Sequence, residues 1–182
     1  MNKPMRSLMF AVVLALTVTA VAARAETAAE LTNSSKRALR QLVSNNSAAK
    51  ALNDKAKGVL VFPSIVKAGF MFGGQMGDGA LLKKGKAVAF YNTFAGSYGF
   101  QAGVQVYGYA LFFMDEASMG YLDRVDGWEL GVGPSIVVVD EGMGKSMSTT
   151  TIQKGVYAFI FDQKGLMGGM GIQGSKITKI DK

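Results

Sequence analysis

The chain has 182 residues, no cysteine, no histidine and a formal net charge of +7. Without those two residue types it can form no disulfide, no Ser-His-Asp or Cys-His nucleophile and no zinc site on His or Cys ligands, so any catalysis falls to carboxylate, Lys or Tyr groups. All 23 glycines lie between Gly58 and Gly174. Glycine weakens regular elements, so this crowding predicts bulges, sharp bends and close backbone approach.

Lys3 and Arg6 precede an apolar run from Leu8 to Leu16, and small residues lead on to Ala23-Arg24-Ala25. A charged start, an apolar centre and an A-x-A end are the pattern of a secretory signal peptide, and the run is short for a membrane span. Residues 1–25 are therefore expected to be removed near Ala25, leaving 26–182 as a single periplasmic or secreted domain. Three of the 20 basic residues leave with that segment, so 17 bases face 13 acids, a balance of +4. That is a mild bias toward anionic surfaces. The remaining length suits one domain, which typically buries about 70% of its unfolded surface.

Residues 27–57 read as helical. Ala38, Leu39, Leu42 and Val43 fall on one face at helical spacing, with Lys36, Arg37 and Arg40 opposite. Asn45-Asn46-Ser47 breaks the helix, and Ser47 is the expected cap of a second helix ending at Lys55, Lys57 and Gly58. The period then changes to that of strands. Val59-Leu60-Val61-Phe62 is expected to end at Pro63, with further strands at 69–75, 80–83 and 87–94 and a tight turn at Lys84-Gly85. Residues 98–114 supply one long bent strand or two. Asp115 caps a short helix reaching about Arg124. Residues 128–139 read as a strand pair, with Ile136-Val137-Val138-Val139 apolar on both faces. A small-residue loop at 142–151 and strands at 156–161, 166–172 and 176–180 complete the sheet, with a turn at Asp162-Gln163-Lys164-Gly165.

Candidate chemistry is sparse. Gly142-Met143-Gly144-Lys145-Ser146 looks like the end of a phosphate-binding loop, but Val139 stands where that loop needs glycine. Asp115/Glu116, Asp123/Asp126 and Asp140/Glu141 are carboxylate pairs, each at a turn or helix end where acids cap or stay solvated. None has a calcium-loop spacing. Phe70, Phe72, Phe112, Phe113 and Trp128 can line a lipid pocket or form plain core. The first helix is the better lead. Basic on one side and apolar on the other, it can lie on an anionic membrane, or pack its apolar side on the sheet.

Three phrases share a spacing: Gly69-Phe70-Met71-Phe72-Gly73, Gly99-Phe100-Gln101-Ala102-Gly103 and Gly165-Leu166-Met167-Gly168-Gly169. Together with Ala56-Lys57-Gly58-Val59-Leu60-Val61-Phe62-Pro63, Gly77-Asp78-Gly79, Trp128-Glu129-Leu130-Gly131 and Gly174-Ser175-Lys176-Ile177, they resemble the motifs of the SYLF domain family. The resemblance implies lipid binding. Eukaryotic members bind phosphoinositides, partly through a basic amphipathic N-terminal helix, and are tied to actin regulation. That helix corresponds by character to residues 27–44, which carries a lipid-binding role onto Lys36, Arg37 and Arg40. The further interaction domains of the eukaryotic proteins are not expected here, and export would separate this chain from cytosolic phosphoinositides and actin.

The expected fold is α+β, with N-terminal helices packed on a strongly bent antiparallel β-sheet, open or closed as a barrel. The expected function is non-catalytic binding of anionic membrane lipid in the bacterial envelope by peripheral contact. Lys36, Arg37 and Arg40 would meet headgroups, while Leu31, Leu39 and Leu42 either insert or anchor the helix. No catalytic residue, metal, cofactor or nucleic-acid partner is assigned. Two other readings are a self-assembling envelope protein without a lipid ligand and a transmembrane β-barrel. The doubly apolar strand at 136–139 argues against the latter, since barrel strands alternate.

Overall fold

The structure is a computed structural model. It describes residues 26–139, 154–165 and 175–182, with the side chains of all of these except 70–72 and 97–102. The expected signal peptide, Asp140/Glu141, the 142–151 loop and the strand at 166–172 lie outside the described residues.

Thr27 opens helix α1 (Ala28–Asn45) with a capping box. Its hydroxyl accepts the Glu30 N–H, and the Glu30 carboxylate accepts the Thr27 N–H and hydroxyl. The break falls where the sequence places it, but Asn46 rather than Ser47 caps α2 (Ser47–Asn53), accepting the Ala49 N–H at 3.0 Å. Asn46 is the residue whose backbone is extended, which lets its side chain turn back onto the helix start.

The next two elements are one very long antiparallel hairpin, β1 (Gly58–Lys83) and β2 (Lys86–Phe113). Lys84 and Gly85 both take positive φ, 48° and 75°, as a two-residue hairpin turn requires. The strands expected separately at 59–62, 69–75 and 80–83 are parts of β1, and 98–113 is continuous with 87–94. Pro63 does not end its strand. It falls in the register shift between Phe62 and Ile65, a bulge where a missing N–H costs no ladder bond.

The hairpin folds back on itself. A Cβ on Gly79 would stand 2.6 Å from the Val61 carbonyl and the Phe62 ring, and one on Gly77 2.6 Å from the Ser64 carbonyl. The two halves of β1 therefore meet along a seam, and glycine at 77 and 79 is what lets them approach. This seam curls the sheet into a half-barrel.

On its other edge β2 pairs with β5 (Val156–Gly165) along its second half and with β6 (Lys176–Ile180) along its first. Strand β3 (Trp128–Glu129) joins β6, and β4 (Ile136–Val138) joins β5 in parallel. The sheet is thus mixed rather than wholly antiparallel. Residues 128–139 do not pair with each other, and β4 is an edge strand with Val138 47% exposed rather than buried on both faces. The expected turn at 162–165 continues β5 through a bulge opposite Tyr107, with Asp162 at φ 51°. Between β2 and β3, Asp115 caps α3 (Glu116–Met119), which runs into a 3-10 turn at Gly120–Asp123.

Alternation along the strands divides the core in two. Leu60, Phe62, Tyr109, Leu111, Phe113 and Trp128 fill the inside of the half-barrel. Val59, Val61, Leu82, Ala110, Phe112 and Phe159 face outward and are covered by Leu42, Ala48, Ala49 and Leu52 of the helices. The α+β architecture with a bent, barrel-like sheet is the one the sequence predicts.

Candidate functional site

Helix α1 packs chiefly on β1, which among the described residues pairs along one edge, with β2. Leu31, Ser35 and Leu42 form its buried stripe, at spacings of four and seven. Ser35 is fully buried and its hydroxyl donates to the Val61 carbonyl at 3.2 Å, satisfying both groups beside the seam. The helix thereby covers an edge that would otherwise present unpaired backbone.

This geometry decides between the two roles open to the leucines. Leu31 is 0% and Leu42 6% exposed, and Leu39 packs against the outward cluster. They anchor the helix, and inserting them elsewhere would first require stripping α1 from the sheet. Burying a leucine contributes about 1.5–3 kcal/mol, so that exchange is expensive. Arg37 and Arg40 are exposed and Lys36 half-buried. Among the described residues no ion pair involves any of the three; the two found are Lys182–Asp78 at 2.7 Å and Lys179–Asp123 at 3.7 Å.

A groove of about 570 Å³ opens at the C-terminal end of α1, where Gln41 and Asn45 face Val138, Phe159 and Asp162. Gln41 Nε2 donates to Asp162 Oδ1 at 3.3 Å across it. Arg37 stands one turn before Gln41 on the same side of the helix, so the groove continues the basic face. At the other end of α1, Asp78 accepts from Asn92 at 2.7 Å and pairs with Lys182, which also donates to the Glu26 carbonyl at 3.0 Å.

The remaining candidates resolve into structure. Asp115 accepts from the Ser118 N–H, the Ser118 hydroxyl and the Gly155 N–H. These bonds, led by that of the Ser118 N–H, hold its carboxyl below the usual range, so it caps α3 and ties it to β5. Among the described residues no three acidic groups converge as metal ligands would. Phe112, Phe113 and Trp128 are fully buried, and the Trp128 indole donates to the Val132 carbonyl at 2.9 Å, so all three are core. Of the loop resembling a phosphate-binding turn, residues 142–146 lie outside the described residues.

Sequence reasoning missed a polar row inside the half-barrel. Tyr107 donates to Gln75 Oε1 and Gln75 Nε2 to Ser175 Oγ, both at 2.9 Å. Lys67 lies opposite Gln105, both about 5% exposed. Gln105 Oε1 and the Tyr109 hydroxyl are buried with no partner among the described residues. Burial pushes the Tyr107 hydroxyl up to about 12, and burial followed by the neighbouring Tyr107 holds that of Tyr109 far above its usual range. Both stay protonated at neutral pH. The alternation of Lys67, Gln105 and Tyr107 with apolar neighbours was the available signal, but it does not say which face is inside.

Residues 94–182 match the family described as Ysc84, Las17-binding protein actin regulator. No curated protein matches the chain. The match begins within β2, so α1, β1 and the three basic residues stand outside it. Its span includes Trp128-Glu129-Leu130-Gly131, Gly165-Leu166 and the segment from Gly174 to Ile177, which the sequence comparison with SYLF motifs singled out independently. The match over residues 94–182 is consistent with the SYLF domain family that the sequence motifs resemble.

Proposed function

We propose that this protein is a non-catalytic, peripheral binder of anionic lipid membranes in the bacterial envelope, acting after removal of residues 1–25. The observation that carries the reading is the outward face of α1. Lys36, Arg37 and Arg40 sit on a helix anchored by Leu31, Ser35 and Leu42, and none of the three is spent on an ion pair with a described residue. Near a membrane surface each such cation contributes about 1 kcal/mol of attraction, falling off within a Debye length. The match of residues 94–182 to the Ysc84 family supports a binding role rather than catalysis. The family description speaks of Las17 binding and actin regulation; export would keep this chain from such partners. The helices cover part of the outer sheet face, which a membrane-spanning barrel presents to lipid.

Flotation with vesicles containing phosphatidylglycerol tests the reading. Reversing all three charges (Lys36→Glu, Arg37→Glu and Arg40→Glu) is expected to weaken partitioning about a hundredfold or more. High salt should weaken the wild type in the same direction. Equal binding by both forms rejects this site.

A further inference from the structure

The outer face of the β1–β2 hairpin changes character along its length. Under the helices Val59, Val61, Ala110 and Phe112 are buried. Beyond α1, toward the glycine-rich bend, the same face carries Val66, Met76, Phe94 and Val104 at 43%, 58%, 56% and 58% exposure. Met76 lies opposite Phe94, and Ala68 opposite Val104. The seam joins these rows. Gly79 meets Val61 and Phe62, and Gly77 meets Ser64 and Ile65, so the next step of this antiparallel approach sets Met76 beside Val66. The four exposed side chains lie on one face of the hairpin on either side of the seam, and exposed apolar groups gathered in this way mark an interaction surface.

Charge indicates the occupant. Across 64–77 and 93–106 Lys67 alone is charged, and it points into the half-barrel, 5% exposed. The rim is cationic. Lys176 stands in register with Phe94, and Lys164 with Val106, both exposed. Arg37 flanks the same end, because its neighbour on the helix face, Gln41, reaches Asp162 on β5. The acids near this rim are Glu129, one strand beyond Lys176, Asp162 on β5, which accepts from Gln41, and Asp78, which pairs with Lys182. An uncharged apolar centre ringed by Lys and Arg suits an anionic bilayer. A second copy docked face to face would instead bring two cationic rims together.

We propose that this patch is the face that enters the membrane: Val66, Met76, Phe94 and Val104 reach the boundary between headgroups and acyl chains, while Lys164, Lys176 and Arg37 meet the headgroups. The proposal rests on the anionic-membrane reading above and adds which surface of the sheet is wetted by lipid.

The absence of cysteine allows a clean test. Phe94→Cys, labelled with an environment-sensitive nitrobenzoxadiazole dye, is compared with Val88→Cys, also exposed but near the hairpin turn. With phosphatidylglycerol vesicles the label at 94 should brighten several-fold and be quenched by lipids carrying a nitroxide high on the acyl chain, while the label at 88 stays unchanged. The combined Met76→Ser and Phe94→Ser variant, with its thermal unfolding unaltered, should bind vesicles about tenfold more weakly or less. Protein that floats with vesicles while the label at 94 stays wet overturns the patch and leaves the basic-helix reading standing. Protein that does not float at all removes both. Brightening at 94 on concentrating the protein without vesicles overturns the proposal in favour of a second copy.

Discussion

The two ends of the β1–β2 hairpin are made of the same strands in the same alternation, yet one is core and the other is surface. Near Val59 and Phe112 the outward side chains lie under α1 and α2. Near Met76 and Phe94 the outward side chains have a similar apolar character and no cover among the described residues. The difference lies in how far α1 reaches. It crosses the seam at Val61, held there by Ser35, and leaves Val66, Met76, Phe94 and Val104 exposed. A period-2 pattern specifies which residues share a face, but burial depends on what is laid over that face.

The contrast can be broken at its strongest point first. Leu31→Ala, at the covered end, should cost about 2–5 kcal/mol in urea unfolding, because the helix and strands around it cannot fully collapse into the void. A loss near zero would mean that α1 does not hold the seam closed. Asp115 gives an intermediate effect. Asp115→Ala should cost about 1 kcal/mol at neutral pH through loss of the α3 cap. Because the folded-state carboxyl is held below its ordinary value of 3.8, its contribution is present above that pH and lost as pH falls through the lower folded value. The gap between wild type and variant should therefore close in acid; a gap independent of pH would deny the carboxylate its role. The smallest effect belongs to the bare end. Val104→Thr should change stability by no more than about 0.5 kcal/mol. A loss above 1 kcal/mol in thermal or urea unfolding would show that something covers this face.

Where a feature depends on near neighbours in the chain, the sequence reading and the structure agree. The break between α1 and α2, the turn at Lys84-Gly85, the cap at Asp115 and strand β6 all follow from residues within a few positions of each other. Where a distant partner decides, they part. Pro63 reads as a stop, yet the bulge opposite β2 absorbs it. Residues 128–139 read as a pair, yet each strand finds a partner far along the chain, β6 for one and β5 for the other. The candidate site divides the same way. The opposition of Lys36, Arg37 and Arg40 to Leu31, Leu39 and Leu42 is a property of helical spacing and was legible. That the leucines anchor rather than insert was not.

Composition and spacing alone thus determined a cysteine-free, histidine-free chain with a two-faced helix, a glycine-bent sheet and motifs that resemble the SYLF family. Tertiary structure decided that β1 doubles back on itself, that α1 lies across the seam, and that Met76 and Phe94 face water. Side-chain period is set by the backbone over a few residues, whereas cover is a long-range contact that no local pattern encodes.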